Sequence, residues 1–270
     1  MHRPRKRFGQ HFLHDPAIIN RIVAAIAPER GQAMIEIGPG LGALTGPLLA
    51  HLGQMHAVEI DRDAIRYLQQ RYPASILDIH EADVLQFRFG ALAQAAPLRI
   101  AGNLPYNIST PLLFHLLQQR EHILDMHFTL QKEVVDRMAA AAGAPAYGRL
   151  SVMLAPWCHV EPLFEIGPNA FRPPPRVISS FVRLRPYAQS ALAIDHYPNF
   201  ATVVSAAFSQ RRKTLRNALR PLLSEAQILA AGIDPTERAE VIPPAGFAAL
   251  ANMLGIARSK SPPASPPPEV

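Results

Sequence analysis

The 270-residue chain has a single cysteine, Cys158, so no disulfide can close within it. That usage fits a reducing compartment, and the sequence reads as cytoplasmic. Its 11 histidines lack the close paired spacings of a zinc site. No structural metal is expected. No apolar run reaches the roughly 20 residues that a membrane-spanning helix needs. The opening residues MHRPRKRFGQ are basic and lack the apolar stretch of a signal peptide. Internal repeats are absent, and no feature suggests a dimer, so the chain reads as a monomer. Charged residues are also scarce, at 18% of the chain, which makes their imbalance informative: 27 Lys and Arg stand against 21 Asp and Glu, a net charge of +6. A basic surface points to an acidic partner, nucleic acid first. Charge that serves only solubility is the competing explanation.

What is present is apolar and periodic. Hydrophobic residues make up 49% of the chain, enough for one sizeable core or a large domain with a small companion. Arg3, Arg5, Lys6 and Arg7 form a basic arm over residues 1–14. Asp15-Pro16 reads as a helix start, and Ile18, Ile19, Ile22, Val23 and Ile26 give a helical stripe. Strands are then expected at 33–38, 54–61, 76–83, 98–105 and 125–131, with helices between and after them. Alternation of this kind argues for a parallel sheet covered on both faces. Residues 158–166 and 179–186 read as two further strands, separated by the proline cluster RPPPR. Beyond them the pattern is helical only, including a helix over TLRNALRPLL, so residues 1–186 and 187–257 read as two domains. The tail 258–270 is Pro/Ser-rich and reads as disordered, and the loop 139–148 reads from its composition as mobile.

The first strand runs into EIGPGLG, with Gly38, Gly40 and Gly42 before a helix. Glycines there let a ligand approach the backbone, and the helix N-terminus offers free N–H groups. Glu59 ends the second strand, where a carboxylate can accept both hydroxyls of a ribose. Asp83 ends the third and can accept from an adenine amino group. The set suits an adenosine-containing ligand. Glycines needed only for tight turning, or a nicotinamide dehydrogenase, would use nearly the same parts. The acidic start of the loop leaves no basic partner for a pyrophosphate, which favours S-adenosylmethionine.

The fourth strand ends in Asn103-Leu104-Pro105-Tyr106, which hydride transfer does not need. An adenine N6 amine is a poor nucleophile because its lone pair is delocalised into the ring. Two acceptors aimed at its N–H groups favour the change towards tetrahedral geometry. The Asn103 side-chain oxygen is one, and a backbone carbonyl near Leu104–Pro105 is the other. Pro105 stiffens the turn, and Tyr106 offers a face on which a base can stack. Taken alone, the tetrapeptide reads equally well as a turn.

NLPY resembles the fourth motif of adenine N6-methyltransferases, and the whole arrangement resembles the ribosomal RNA adenine dimethyltransferases. The resemblance covers about residues 7 to 255. It implies a Rossmann-like class I S-adenosylmethionine methyltransferase fold, with a seven-stranded, mostly parallel sheet and a small all-α C-terminal domain. RFGQHFL is similar to the family's N-terminal motif, although His11 stands where that motif usually has Asn. By analogy this segment folds over the methionine end of the cofactor through the backbone of His11 and Leu13. FRPPPRVISSFVRL matches a second motif at Phe171, Pro173, Pro175, Val177 and Ser179. It implies one wall of a base pocket, with Phe171 and Phe181 as aromatic contacts. FSQRRKTLRNAL resembles the bacterial small-subunit enzyme and its eukaryotic counterpart more than the resistance methylases of the large subunit. Its Arg211, Arg212, Lys213, Arg216 and Arg220 suit phosphate contacts.

The resemblance thus implies N6-dimethylation of two adjacent adenosines in a 3′-terminal hairpin of 16S rRNA, on an assembling 30S subunit. A non-catalytic RNA-binding assembly or transcription factor on the same fold is the alternative. The intact Asn103, Tyr106, Glu59 and Asp83 argue against it.

Overall fold

A computed structural model describes residues 11–93, 96–210 and 212–259, the last five for their backbone alone. The expected basic residues Arg3, Arg5, Lys6, Arg7 and Arg211, and the tail beyond Ser259, lie outside these. The chain divides into two compact units. One runs to Ala139 and resumes over Cys158–Ala188; the other takes Ala140–Trp157 and the chain from Gln189 on.

The first unit is built on a seven-stranded sheet. Its strands are β2 (Met34–Ile37), β3 (Met55–Glu59), β4 (Leu77–Glu81), β5 (Leu98–Asn103), β6 (Ile123–Gln131), β7 (Cys158–Ile166) and β9 (Ser179–Pro186). Their order across the sheet is β4-β3-β2-β5-β6-β9-β7. The five strands from β4 to β6 run parallel, and β9 and β7 pair antiparallel at the far side. Parallel neighbours require crossovers, which the helices α2 (Thr45–Leu52), α3 (Arg62–Gln69) and α4 (Ser109–Leu117) supply. Helix α5 (Lys132–Ala139) follows β6. All four residues of β2 are buried, as expected of a strand covered on both faces. This is the mostly parallel α/β architecture expected from the alternating pattern.

Helix α1 (Pro16–Ile26) begins as the sequence predicts. The Asp15 carboxylate accepts from the N–H groups of Ala17 and Ile18 at 2.8 and 3.3 Å. Ile22, Val23 and Ile26 turn into the core. The helix that follows the glycine loop begins only at Thr45, because Gly42, at φ +80°, turns the chain first. Two short strands escape the periodicity altogether. β1 (Phe12–Leu13) pairs with β8 (Phe171–Arg172), matching Leu13 to Phe171, and two residues are too few to show a period.

Arg99 on β5 ties α1 to the sheet. Its guanidinium donates to Asp125 on β6 at 2.9–3.3 Å, to the carbonyls of Ile26 and Ala27 at 2.7 and 3.1 Å, and to Gln32 Oε1 at 2.7 Å. These partners fill all five guanidinium donors, which a lysine could not do. The helix-end carbonyls are thereby satisfied away from water.

The second unit holds α6 (Arg149–Leu154), α7 (Tyr197–Ala207), α8 (Leu215–Ala218), α9 (Glu225–Ala230) and α10 (Pro244–Ser259). Residues 140–157 pack here, whereas the sequence pattern grouped them with the strands. The loop before α6 is pinned, although its composition reads as mobile. Gly143 N–H donates to the Glu240 carbonyl at 2.8 Å, and buried Tyr147 donates its hydroxyl to the Ile242 carbonyl at 2.7 Å. The helix expected over 214–223 is only four residues long. Pro221 cannot continue its hydrogen-bond ladder. No helix among the described residues is long and apolar enough to cross a membrane.

Removing one member of a buried ion pair leaves the other uncompensated. Asp125→Ala is therefore expected to lower stability by about 3–5 kcal/mol, read as a fall in the urea midpoint at unchanged slope.

Candidate active site

Because β2, β3, β4 and β5 are parallel neighbours, their C-terminal ends open at one edge of the sheet. A cavity of about 750 Å³ lies there, lined by β1, the glycine loop, Glu59 and the segment from Asn103 to Tyr106. It falls within the ordinary range of small-molecule sites. Gly38 and Gly40 sit at φ +66° and +54°, where a side chain would be strained. At Gly40 a Cβ would also come 2.9 Å from the Phe12 ring. Gly102 serves a different purpose. A Cβ there would meet the Ile37 carbonyl at 2.6 Å, so glycine lets β5 lie close against β2 and brings Asn103 beside the glycine loop.

Two carboxylates face the cavity. Glu59 Oε2 accepts from Gly40 N–H at 3.1 Å, while Oε1 accepts from the N–H groups of Ile60 and Asp61 at 2.8 and 2.9 Å. Burial pushes its pKa up, and these three donors oppose the rise. Glu36 on β2 is the residue that sequence reasoning missed, although an acid inside an otherwise apolar strand was a visible signal. Its carboxylate accepts from Thr45 Oγ1 at 2.6 Å. Burial, with a smaller push from Glu59, raises its pKa to about 7.

Asn103 is oriented by a residue 92 positions away. Its Nδ2 donates to the His11 carbonyl at 2.8 Å. Only the NH₂ end of an amide can make that bond, so Oδ1 is left as the acceptor on the cavity side. The turn after it removes competing carbonyls. Pro105 C=O accepts from Ile108 N–H at 3.3 Å, and Tyr106 C=O from Ser109 Oγ at 3.0 Å. The Tyr106 hydroxyl hydrogen-bonds Ser179 Oγ at 2.8 Å. The His11 ring stacks on Tyr106 with centroids 5.6 Å apart, its Nδ1 held 2.7 Å from the Pro173 carbonyl.

The other sequence-predicted residues fall in several places. His11, Leu13, Gly38, Gly40, Glu59, Asn103, Leu104, Pro105 and Tyr106 all line the cavity. Asp83 follows β4 by two residues, and its carboxylate accepts from Leu85 N–H at 2.9 Å instead of lining the cavity. Phe171 and Phe181 differ from expectation. Both rings are fully buried: Phe171 on β8 packs in the core cluster with Leu13, and Phe181 lies against Phe164 and His127 because β9 is covered on both faces. Arg212, Lys213, Arg216 and Arg220 lie around α8 in the helical unit.

The parallel sheet, the glycine loop, the strand-end acid and the Asn-Leu-Pro-Tyr turn together define a class I S-adenosylmethionine-dependent methyltransferase. Comparison with known proteins narrows the class. The chain matches the ribosomal RNA adenine dimethylase family over residues 1–255 and belongs to it. It is 54% identical to "Ribosomal RNA small subunit methyltransferase A" of Methylobacillus flagellatus, across 94% of this chain and 98% of that relative. The protein of the same description from Laribacter hongkongensis is 52% identical, across 94% and 97%. In fold it is similar to a solved dimethyladenosine transferase from Plasmodium falciparum, with a TM-score of 0.73 at 24% identity, covering 91% of this chain and 98% of that one. The chain is thus an rRNA adenine dimethyltransferase.

The raised pKa of Glu36 gives a signed expectation. A cationic ligand in the cavity favours the ionised carboxylate, so its binding releases the Glu36 proton below about pH 7. S-adenosylmethionine affinity is expected to tighten by about tenfold from pH 6 to 8 in titration calorimetry. In Glu36→Gln that rise is lost.

Proposed function

We propose that this chain dimethylates N6 of two adjacent adenosines in a 3′-terminal hairpin of 16S rRNA. It acts as a cytoplasmic monomer on the assembling 30S subunit. The observation that carries the chemistry is the Asn103–His11 hydrogen bond, which presents the Asn103 oxygen to the cavity.

The residues present fit S-adenosylmethionine. The cavity has room for a nucleoside joined to an amino acid, its glycine loop offers bare backbone, and its buried acid Glu36 favours a cation. Gly38, Gly40 and Glu59 would hold the nucleoside, with His11, Leu13 and Glu36 towards the charged end. Asp83 would accept from the adenine amino group. When bound, the cofactor supplies a methyl group on a positively charged sulfur.

The chain's own part is positioning and electrostatics. Asn103 Oδ1 and the Leu104 carbonyl accept the two N6–H groups of the target adenine. Their pull draws the nitrogen towards tetrahedral geometry and frees its lone pair. After the first transfer one N–H remains, and one acceptor still holds it. Tyr106, fixed through its hydroxyl, stacks on the base with the face that His11 does not cover. Because Phe171 and Phe181 are buried, the aromatic contact falls to Tyr106. Arg212, Lys213 and Arg216, with Arg220, neutralise rRNA phosphates.

The test is transfer of labelled methyl groups to unmethylated small subunits, followed by nucleoside analysis of the RNA. Dimethyladenosine is expected in 16S rRNA, and Asn103→Ala is expected to reduce it by at least about 100-fold. Tight RNA binding without transfer by the intact chain would favour the non-catalytic assembly factor, and label in large-subunit RNA would redirect the substrate.

The basic cluster has its own readout. Neutralising Arg212, Lys213 and Arg216 is expected to flatten the dependence of log K for RNA on log salt, by about 0.7–0.9 for each phosphate that is no longer neutralised. Cofactor affinity should stay constant.

A further inference from the structure

The sheet edge away from the cavity brings together residues that sequence spacing kept apart. β3 and β4 are parallel, with His56 opposite Asp78 and Val58 opposite His80. Alternation along β4 puts Asp78 and His80 on the same face as His56. Three donor atoms converge there. His56 Nδ1 lies 3.3 Å from Asp78 Oδ2 and 3.3 Å from His80 Nε2, and His80 Nε2 lies 3.5 Å from the same Asp78 Oδ2. The triangle is nearly equilateral.

We propose that His56, Asp78 and His80 form a binding site for a first-row divalent transition-metal ion, zinc in the first instance. A tetrahedral ion with bonds of roughly 2.0–2.1 Å needs its ligand atoms about 3.3–3.4 Å apart, and the observed sides match that spacing. Two imidazoles and one carboxylate suit zinc, nickel or copper and disfavour magnesium and calcium, which prefer oxygen throughout. Protons satisfy the cluster less completely. With both rings neutral, the His56–His80 edge needs one bare and one protonated nitrogen, whereas one ion takes a lone pair from all three atoms. The His80 ring is held by packing on Phe87, with centroids 5.3 Å apart, so the ligand is preorganised.

Access is open. The side chains of His56, His80 and Asp78 are 32%, 26% and 58% exposed, so an ion can enter from solvent and keep water as its fourth ligand. The ion would clamp the edge strand β4 to β3, three residues along β3 from Glu59. None of the three residues lines the cavity. The site therefore acts on the stability of the strand pair rather than on the transfer chemistry.

The experiment titrates the full-length, untagged chain with zinc alone, in chelator-free buffer against a chromophoric competitor, and repeats it with cobalt. One equivalent of zinc is expected to bind and to raise the unfolding temperature. Cobalt should give the visible absorption of a low-coordinate site. His56→Ala and His80→Phe are each expected to weaken binding by at least about 100-fold, since they remove a direct ligand. Asp78→Asn keeps the size of an exposed side chain and should also weaken binding, which guards against loss through misfolding. No stoichiometric uptake, or uptake unchanged in the three variants, would overturn the proposal.

Discussion

The cavity depends on one carboxylate held by three backbone N–H groups. Glu59 gathers Gly40, Ile60 and Asp61 at 3.1, 2.8 and 2.9 Å, and so joins the glycine loop of β2 to the turn that starts α3. A buried acid would ordinarily shed its charge. Here the donors oppose that tendency, and the same bonds tie down a loop whose conformation only glycine adopts easily at Gly38 and Gly40. The arrangement also limits what Glu59 can do next. A carboxylate has about four lone-pair sites, and three are already filled. Accepting two further donors would require the Gly40 N–H to give way.

Asn103 follows the same logic over a longer distance. Its strand delivers it to the cavity, but its orientation comes from the His11 carbonyl, in a segment far away in sequence. That segment is itself placed by the short β1–β8 pairing. The hydrogen bond uses backbone, so it tolerates His at a position where the family's motif usually has Asn. What His adds is a ring against Tyr106 and a hydrogen bond to Pro173. The Asn103–Tyr106 turn is thus held by residues from both ends of the first unit.

Much of this was legible in the sequence, and the limits have physical reasons. Seven strands, their alternation with helices and the cap at Asp15 follow from period and local chemistry, which act over a few residues. The glycine loop, Glu59 and Asn103 were visible because strand ends are where α/β sheets bind ligands. The losses are long-range or two-sided. Phe181 looked like a pocket aromatic, yet β9 is covered on both faces, and period alone cannot say which face meets a cavity. The β1–β8 pair was too short to show a pattern. His56, Asp78 and His80 meet only through the register of two parallel strands, which no linear spacing reveals. Residues 140–157 pack with the second unit through the buried residues of α6 and long-range bonds such as the Tyr147 hydroxyl to Ile242, which composition does not encode.

Two acids in one cavity with unequal support explain how it can favour a cation without being a plain negative surface. Glu59 has three backbone donors, while among the described residues the Glu36 carboxylate draws on the Thr45 hydroxyl. Burial, with a smaller push from Glu59, lets the less supported Glu36 hold its proton up to about pH 7. A ligand that brings positive charge removes the reason for that proton. A buried acid of this kind favours a cationic ligand over a neutral one of the same shape.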